Sequence, residues 1–476
     1  MNMFVRTVVF VFIFISTFSC YGQKFQLGVW CLTGQTGYDQ IIEQDPAGSG
    51  KWVLKDTEKK LLKDLGVNYM IACTGGGKPC VTRVEQALHN YGIERNGEFT
   101  STLEISPPNS DSPEPYQVWR AIDKGSGPDD PEWHAYVDSG YASMNSAFQN
   151  KTGINSFIAG AEVQLANPDR YSWLNVICHS LHVHASGVPA LVQDGYDYRE
   201  YLDDMFSQVD SIDIFNYHYY VFKNNTDSSG QSLQKALQKF VHALSYAQTE
   251  LQKHYSDAQL HFITQVQQSR KGDYRFTRKA EILCQNNLAL AYGAKGIVYY
   301  LYGALRTGHV TGLLDLQREP THQYDNVRSI HDNYQNTGRT FYDIGAEFTH
   351  LIWKAGYAVH QNQQEPIDET YALYDVSSRV PDGKLDDNEE TFIQVGILQN
   401  DSGQNHYMIV NRRCLDGTRL VNVTFKGSPT HSYLVTDVFT GQEIGFVPAE
   451  NDTFSYSFVL NDGEGKLLKL RNFGEN

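Results

Sequence analysis

The segment from residue 261 to residue 302 constrains the fold more than any other part of the chain. It opens with an apolar run over residues 261–266, passes through a polar loop into a helical pattern, and closes with a second apolar run at residues 296–300. Within the helical part, apolar residues recur at offsets of three and four, as expected for a helix with one buried face. A strand, a crossover helix and a second buried strand form a βαβ unit, which predicts a parallel sheet covered by helices.

The same alternation fills the first three quarters of the chain. Apolar runs that predict strands lie at residues 25–30, 67–72, 99–105, 157–161, 189–192, 212–215, 261–266 and 296–300. Helical patterns separate or follow these runs, and the last predicted helix spans residues 341–360. Eight strand–helix pairs predict an α/β fold, a (β/α)8 TIM barrel, over residues 23–361.

The pattern changes in the last quarter of the chain. Short strands separated by Gly and Asp turns are predicted at residues 393–397, 406–411, 419–425, 432–438, 454–459 and 466–470. No helical pattern lies between them, so residues 362–476 are predicted to form a C-terminal antiparallel β-sandwich.

The N-terminal segment has the pattern of a secretory signal. Arg6 precedes an almost wholly apolar run at residues 7–18, which is followed by small residues and is too short for a membrane span. We therefore expect a signal peptide over residues 1–22, export to the periplasm or the extracellular space, and no transmembrane segment. Cleavage before Cys20 would instead give a lipid-anchored protein, but residues 17–19 are a poor match to the sequence before a lipidated cysteine.

Charge and composition exclude several classes of partner. The chain has 39 Lys and Arg residues against 55 Asp and Glu residues, and its net charge of −16 argues against a nucleic-acid partner. The cysteines have no zinc spacing, and His179, His182 and His184 lack the carboxylate partner of a zinc-protease motif, so we expect no metal and no cofactor. Thirty tyrosines suit the hydroxyls and C–H faces of sugars, although tyrosine-rich β-domains also occur without ligands.

Candidate site residues lie at the ends of the predicted strands, which form the floor of the active site in α/β barrels. Glu162 follows an apolar strand, where a carboxylate is costly unless it has a partner or a chemical role. It is either a general acid with a raised pKa or an acceptor paired with an arginine. The residues predicted to bind substrate are Trp30, Asp194, Asn216, Tyr217, His218, Gln265, Gln267, Tyr299 and Tyr300. The alternative interpretation is a structural aromatic layer that fills the barrel mouth.

Three pieces of sequence, residues 289–300, 312–330 and 462–468, carry a resemblance to a known family. In these pieces the chain resembles the retaining glycoside hydrolase barrels related to the family 42 β-galactosidases. The resemblance implies two glutamates, an acid/base after strand four and a nucleophile after strand seven. Glu162 matches the first place, whereas the second falls at Gln265 or Gln267, and an amide cannot form the glycosyl ester.

Two functions are consistent with a glutamine at the place of the nucleophile. The first is an exported glycoside hydrolase that cleaves O-glycosyl bonds of an oligo- or polysaccharide, with Asp194 or Asp213 as the second carboxylate. The second is a catalytically inactive carbohydrate-binding barrel that lacks the nucleophile. The sequence indicates neither the sugar nor an oligomeric state.

Overall fold

The computed structural model describes the chain from residue 24 to residue 475 with gaps. The described residues are 24–32, 38–73, 78–104, 131, 134–135, 137–138, 154–161, 169–184, 189–195, 199–223, 230–269, 273–305, 310–359, 367, 369–381, 393–415, 417–448 and 452–475.

Eight parallel strands form a closed barrel, which confirms the predicted fold class. The strands are β1 (Gln26–Leu32), β2 (Tyr69–Cys73), β3 (Thr100–Glu104), β4 (Ile154–Ala161), β5 (Ala190–Gly195), β6 (Ile214–His218), β7 (Gln259–Gln265) and β8 (Gly296–Tyr300). Each strand pairs with its sequence neighbours, and β8 pairs with β1 to close the barrel. All eight predicted strands are therefore present, with ends that differ by up to three residues.

Helices surround the barrel. Those in the described part of the chain are α1 (Asp56–Asp64), α2 (Lys78–Glu94), α3 (Asp169–His184), α4 (Arg199–Gln208), α5 (Gly230–His254), α6 (Lys279–Ala291), α7 (His322–Asp332) and α8 (Phe341–Ala346). Residues 281–291 of α6 are all buried, because this helix lies between the barrel and the C-terminal sheet. None of the helices in the described ranges is both long and apolar enough to span a membrane.

The barrel interior is partly aromatic and polar. Tyr69 of β2 fills the space beside Gly28 of β1, where a Cβ atom would collide with the tyrosine ring. The Tyr69 hydroxyl is hydrogen-bonded to Thr102, which is hydrogen-bonded in turn to Ser156, so the buried hydroxyls of three strands satisfy one another.

The C-terminal region contains two antiparallel sheets. Its strands are β9 (Ile352–Val359), β10 (Leu373–Arg379), β11 (Ile393–Gln399), β12 (Asn405–Asn411), β13 (Arg419–Lys426), β14 (His431–Asp437), β15 (Gln442–Phe446), β16 (Thr453–Leu460) and β17 (Gly465–Glu475). One sheet has the order β9-β11-β12-β17-β14-β15 and the other has the order β10-β13-β16. A shared apolar core lies between the two sheets, which confirms the predicted β-sandwich.

The larger sheet also packs against the barrel. On β12, Tyr407 and Ile409 belong to the core of the sandwich, whereas Met408 and Val410 belong to the core that surrounds the barrel strands. The alternation of a β-strand thus buries both faces of this sheet and joins the two domains through apolar contacts.

The predicted helix at residues 341–360 is wrong in its second half. The helix ends at Ala346, and residues 352–359 form β9, which pairs with β11 at the edge of the larger sheet. Gly356 allows the sheet to pack closely here, because its backbone passes so near Tyr292, the residue after α6, that a Cβ atom would collide with the ring. The first sandwich strand therefore precedes residue 361.

Candidate functional site

Four rings form a row across the C-terminal end of the barrel. We call them the aromatic row: His218 at the end of β6, Tyr220 just beyond it, Tyr300 at the end of β8, and Trp30 of β1. The ring centroids are 4.8 Å apart for His218 and Tyr220, 5.8 Å for Tyr220 and Tyr300, and 6.2 Å for Tyr300 and Trp30. Tyr274 meets Tyr220 edge-to-face at 5.7 Å and extends the aromatic surface to one side.

The alternation of side chains along β6 decides which of its residues point into the barrel, toward this row. Ile214 belongs to the apolar cluster inside the barrel, whereas Phe215 and Tyr217 belong to the core that faces the helices. Because side chains alternate along a strand, Asn216 and His218 face inward with Ile214.

Asn216 is the most informative polar residue of the site. Its side chain is fully buried, and neither its amide nitrogen nor its amide oxygen has a hydrogen-bond partner among the described residues. Trp30 is also buried, and its indole nitrogen likewise lacks a partner in the described part of the chain. Leaving such groups unpaired costs about 1–3 kcal/mol each, so they indicate a place where water or a ligand supplies the missing bonds.

His218 is held as a neutral ring. Burial lowers the pKa of His218 to about 4, against the opposing effect of a hydrogen bond to the backbone of Asp194. Its Nδ1 atom lies 3.3 Å from the side-chain nitrogen of Gln193, which faces inward from β5. At neutral pH, His218 therefore offers an uncharged ring to the aromatic row.

Gln265 is placed near the row, but its polar atoms are already used. Its side-chain oxygen accepts a hydrogen bond from the backbone N–H of Phe222 at 3.1 Å, and its side-chain nitrogen donates to the Phe222 carbonyl at 2.9 Å. Gln267 is also buried, and its side-chain oxygen has no partner among the residues described. Of these two glutamines, Gln267 is the one whose side-chain oxygen can still accept a hydrogen bond.

Three of the predicted binding residues lie on the helix-facing side of the barrel. Tyr217 packs in the outer core, and Asp194 follows Val192, which belongs to that core, and accepts a hydrogen bond from the N–H of Gly195 at 2.6 Å. The Tyr299 hydroxyl is bonded to Asn286 of α6 at 2.8 Å and to His331 of α7 at 2.9 Å. The structure does not bring these three side chains together with the aromatic row.

Asp213 and Glu162 are the two remaining carboxylates for which the sequence predicted a role in chemistry. Asp213 is wrong as a candidate for chemistry, because it precedes β6 at the opposite end of the barrel from the row. It accepts hydrogen bonds from the backbone N–H of Ala190 at 2.7 Å and from His182 at 2.8 Å, and the bond with Asp213 raises the pKa of His182. Glu162 lies outside the described residues, so its predicted role stays a prediction.

Tyr220 and Tyr274 also belong to the aromatic surface, although neither is among the residues predicted from the sequence to bind substrate. The signal for Tyr220 was its place in a polar and aromatic tract, residues 216–220, at the end of a predicted strand. A further acidic residue, Glu104, is the last residue of β3 and was also not selected. Its signal was a carboxylate at the end of a predicted barrel strand.

One group of potential metal ligands lies on the helices of the described part of the chain. Asp203 of α4 and Glu250 and His254 of α5 have ligand atoms within 4.8 Å of one another. Lys253 already places its ammonium group 2.8 Å from both carboxylates, so the site carries its own cation.

Comparison with known proteins supports the architecture. No protein-family model matches the chain, and no curated protein matches it in sequence. A solved structure described as a glycoside hydrolase has a TM-score of 0.50 at 8% identity and covers 94% of this chain and 92% of its own. This similarity shows a shared fold over nearly the whole of both chains.

Two further solved structures resemble the chain over similar lengths. A family 5 glycoside hydrolase from Bacteroides vulgatus has a TM-score of 0.49 at 8% identity and covers 92% of this chain and 94% of its own. An α-L-arabinofuranosidase from Thermotoga maritima has a TM-score of 0.47 at 9% identity and covers 95% of this chain and 97% of its own.

Proposed function

We propose that this protein binds and acts on carbohydrate in the mouth of its barrel. The observation that carries the proposal is the aromatic row together with the unpaired amide of Asn216 on the same inner side of the barrel. Ring faces suit the C–H faces of a sugar, and an amide supplies one donor group and one acceptor for adjacent hydroxyls. An apolar surface with a few convergent polar groups is the usual composition of a small-molecule site.

The reaction we propose is hydrolysis of an O-glycosidic bond, with Glu162 as the general acid/base. Support comes from its sequence position directly after Ala161, the last residue of β4. The resemblance to family 42 enzymes and the glutamine at the strand-seven place remain part of this proposal. Because Asp194 packs toward the helices, we propose Glu104 as the better candidate for the second carboxylate.

The second candidate function is carbohydrate binding without turnover. It is favoured by Gln265, which ends β7 where the resemblance places the nucleophile and whose amide is bonded to backbone. The two functions share the aromatic row and differ only in the need for a carboxylate pair.

Turnover of 4-nitrophenyl glycosides and calorimetric titration with oligosaccharides test the proposal together. A hydrolase should lose at least about a hundredfold in kcat on Glu162→Gln, whereas a binding protein should show no turnover and keep its affinity. Tyr300→Ala should weaken sugar affinity about tenfold. The control, Tyr374→Ala, alters a sandwich tyrosine that is 41% exposed and should change nothing. Unchanged affinity in Tyr300→Ala would contradict a site at the aromatic row.

We also propose that the protein is exported after removal of residues 1–22. The support is the arrangement of Arg6, the apolar run and the small residues in the sequence. Anchoring through a lipid on Cys20 is the alternative.

A further inference from the structure

We propose that Gln265 is a positioning residue, which uses the oxygen and the nitrogen of its carboxamide to fix the backbone of Phe222 and so holds Tyr220 in the aromatic row. The positioning of Phe222 and Tyr220 by Gln265 does not depend on what the protein binds. Its effect on ligand binding rests on the proposed function.

Gln265 and Phe222 form a two-point contact between β7 and the segment after β6. The amide oxygen accepts from the Phe222 N–H at 3.1 Å, and the amide nitrogen donates to the Phe222 carbonyl at 2.9 Å. Both residues are fully buried, so breaking either bond would leave a buried polar group without this partner. A side chain with one donor group and one acceptor can pair with the backbone N–H and C=O of a single residue, which belong to two adjacent peptide groups.

The backbone of Gln265 is fixed as well. Its N–H donates to the side chain of Gln285 on α6 at 3.0 Å, and its carbonyl accepts from the Thr277 hydroxyl at 3.1 Å. These bonds leave Gln265 little freedom, so Phe222 is tied to a rigid part of the barrel.

The segment at residues 274–276 holds Phe222 from its other side. The Phe222 carbonyl also accepts from the N–H of Arg275 at 3.3 Å, and Lys223 forms an isolated β-bridge with Tyr274. The Arg275 guanidinium lies 5.4 Å from the centre of the Phe222 ring and forms two hydrogen bonds with Glu281 of α6. Residues 222–223, shortly after β6, are therefore fixed to β7 and, through Arg275, to α6 by polar contacts.

Tyr220 depends on this arrangement because it lies two residues before Phe222. Its ring contacts His218, which ends the same strand, and Tyr300 and Tyr274, which come from other parts of the mouth. If the backbone of Phe222 moves, the ring of Tyr220 moves with it, and the row loses the ring that joins His218 to Tyr300.

The chemistry explains why glutamine fits this position and an ionised glutamate does not. A carboxylate has acceptors only, so it would keep the bond from the Phe222 N–H and face the Phe222 carbonyl with a second oxygen. A protonated carboxylic acid has one donor and one acceptor and can replace the amide. Glutamate at position 265 should therefore keep both bonds to the backbone of Phe222 at low pH and lose one of them when the acid ionises.

Hydrogen exchange of the full-length protein tests the inference without any ligand. The measured quantity is the exchange rate of peptides that contain residues 219–223, compared with wild type at each pH between about 5 and 9. In Gln265→Glu the rate should equal that of wild type at the acidic end, and at higher pH it should exceed the wild-type rate at the same pH by at least about tenfold. The transition should lie above the ordinary glutamate pKa of about 4.3, because burial disfavours the charged form.

Two further variants make the result decisive. Gln265→Met keeps the approximate length but has no amide, so its exchange should be at least tenfold faster at every pH. Gln404→Glu alters a glutamine that donates to the Leu470 carbonyl in the sandwich, and it should leave residues 219–223 unchanged. Two results would overturn the inference. One is an exchange rate of residues 219–223 in Gln265→Met equal to that of wild type, and the other is a ratio of the Gln265→Glu rate to the wild-type rate that does not change with pH.

The effect on binding is measured separately, with 4-nitrophenyl β-D-galactoside and cellotetraose as probes. Gln265→Met should weaken the binding of a probe about tenfold, and Gln265→Glu should do so only above its transition. If wild type binds neither probe, the result counts against the proposed function, while the exchange data still decide the role of Gln265.

Discussion

His218 of β6 packs its imidazole directly over Gly195, the last residue of β5, so closely that a Cβ atom at position 195 would overlap the ring. The glycine thus decides where the first member of the aromatic row can lie. Because His218 is buried and also bonded to Gln193, it has no room to retreat from a larger residue.

Gly195→Ala should therefore lower both stability and sugar affinity. Overpacking of a buried site costs about 1–3 kcal/mol, which should appear as a lower Tm in scanning calorimetry. The control is Gly445→Ala, since a Cβ atom at Gly445 of β15 meets nothing within 4 Å. Equal Tm values for the two variants would show that His218 tolerates the displacement.

Asn216→Leu should separate binding from stability. The two side chains have the same number and branching of non-hydrogen atoms, and leucine removes two buried polar groups that lack partners among the described residues. We expect an unchanged or higher Tm and a loss of sugar affinity of at least about tenfold, because functional polar groups are often kept at a cost in stability. A marked fall in Tm would mean that Asn216 has a structural partner instead.

Acid should destabilise the protein in a pH window set by its buried histidines. Burial lowers the pKa of His331, like that of His218, to about 4, below the ordinary value of 6.5. The unfolded chain therefore takes up protons below about pH 6.5 while the folded chain does not, so stability falls from there down to about pH 4. The measurement is Tm as a function of pH.

His331→Gln provides the test of this assignment. His331 forms hydrogen bonds to the carbonyl of Leu65 and to the hydroxyl of Tyr299, so the variant should be less stable at pH 7.5. Its Tm should also fall less steeply than that of wild type between pH 6.5 and 4, because one buried ring no longer titrates. An unchanged slope would assign the acid sensitivity to other groups.

The exported form should begin at Gln23. Arg6 and the apolar run after it motivate this expectation, and intact-mass measurement of protein from the cell envelope decides it. A chain that still contains Met1 would contradict export with cleavage, and a diacylglyceryl adduct on Cys20 would establish the lipid anchor. Arg6→Glu should reduce export, while a charge change at Lys24, beyond the cleavage site, serves as the control.

The sequence by itself determined the order and type of the barrel elements. Apolar runs such as residues 261–266, separated by helical patterns, were sufficient because both signals are local. The six strands predicted in the sandwich were readable for the same reason, since alternation and turn residues lie within each hairpin. These features identified the two domains and the end of the barrel at which a site would form.

Only the tertiary structure decided which strand-end residues face the mouth. Barrel strands are buried on both sides, so Asn216 and Tyr217 lie in equally apolar stretches of sequence. The sequence therefore does not indicate which of the two points into the barrel and which points toward the helices. The same limit applies to Tyr299 and Tyr300, of which the first is bonded to α6 and α7 and the second belongs to the aromatic row. Long-range contacts also made residues 352–359 a strand, because pairing with β11 outweighed a local helical pattern. The hydrophobic pattern depends only on neighbouring residues in the sequence. The direction in which a strand residue points depends on contacts with residues that are distant in the chain.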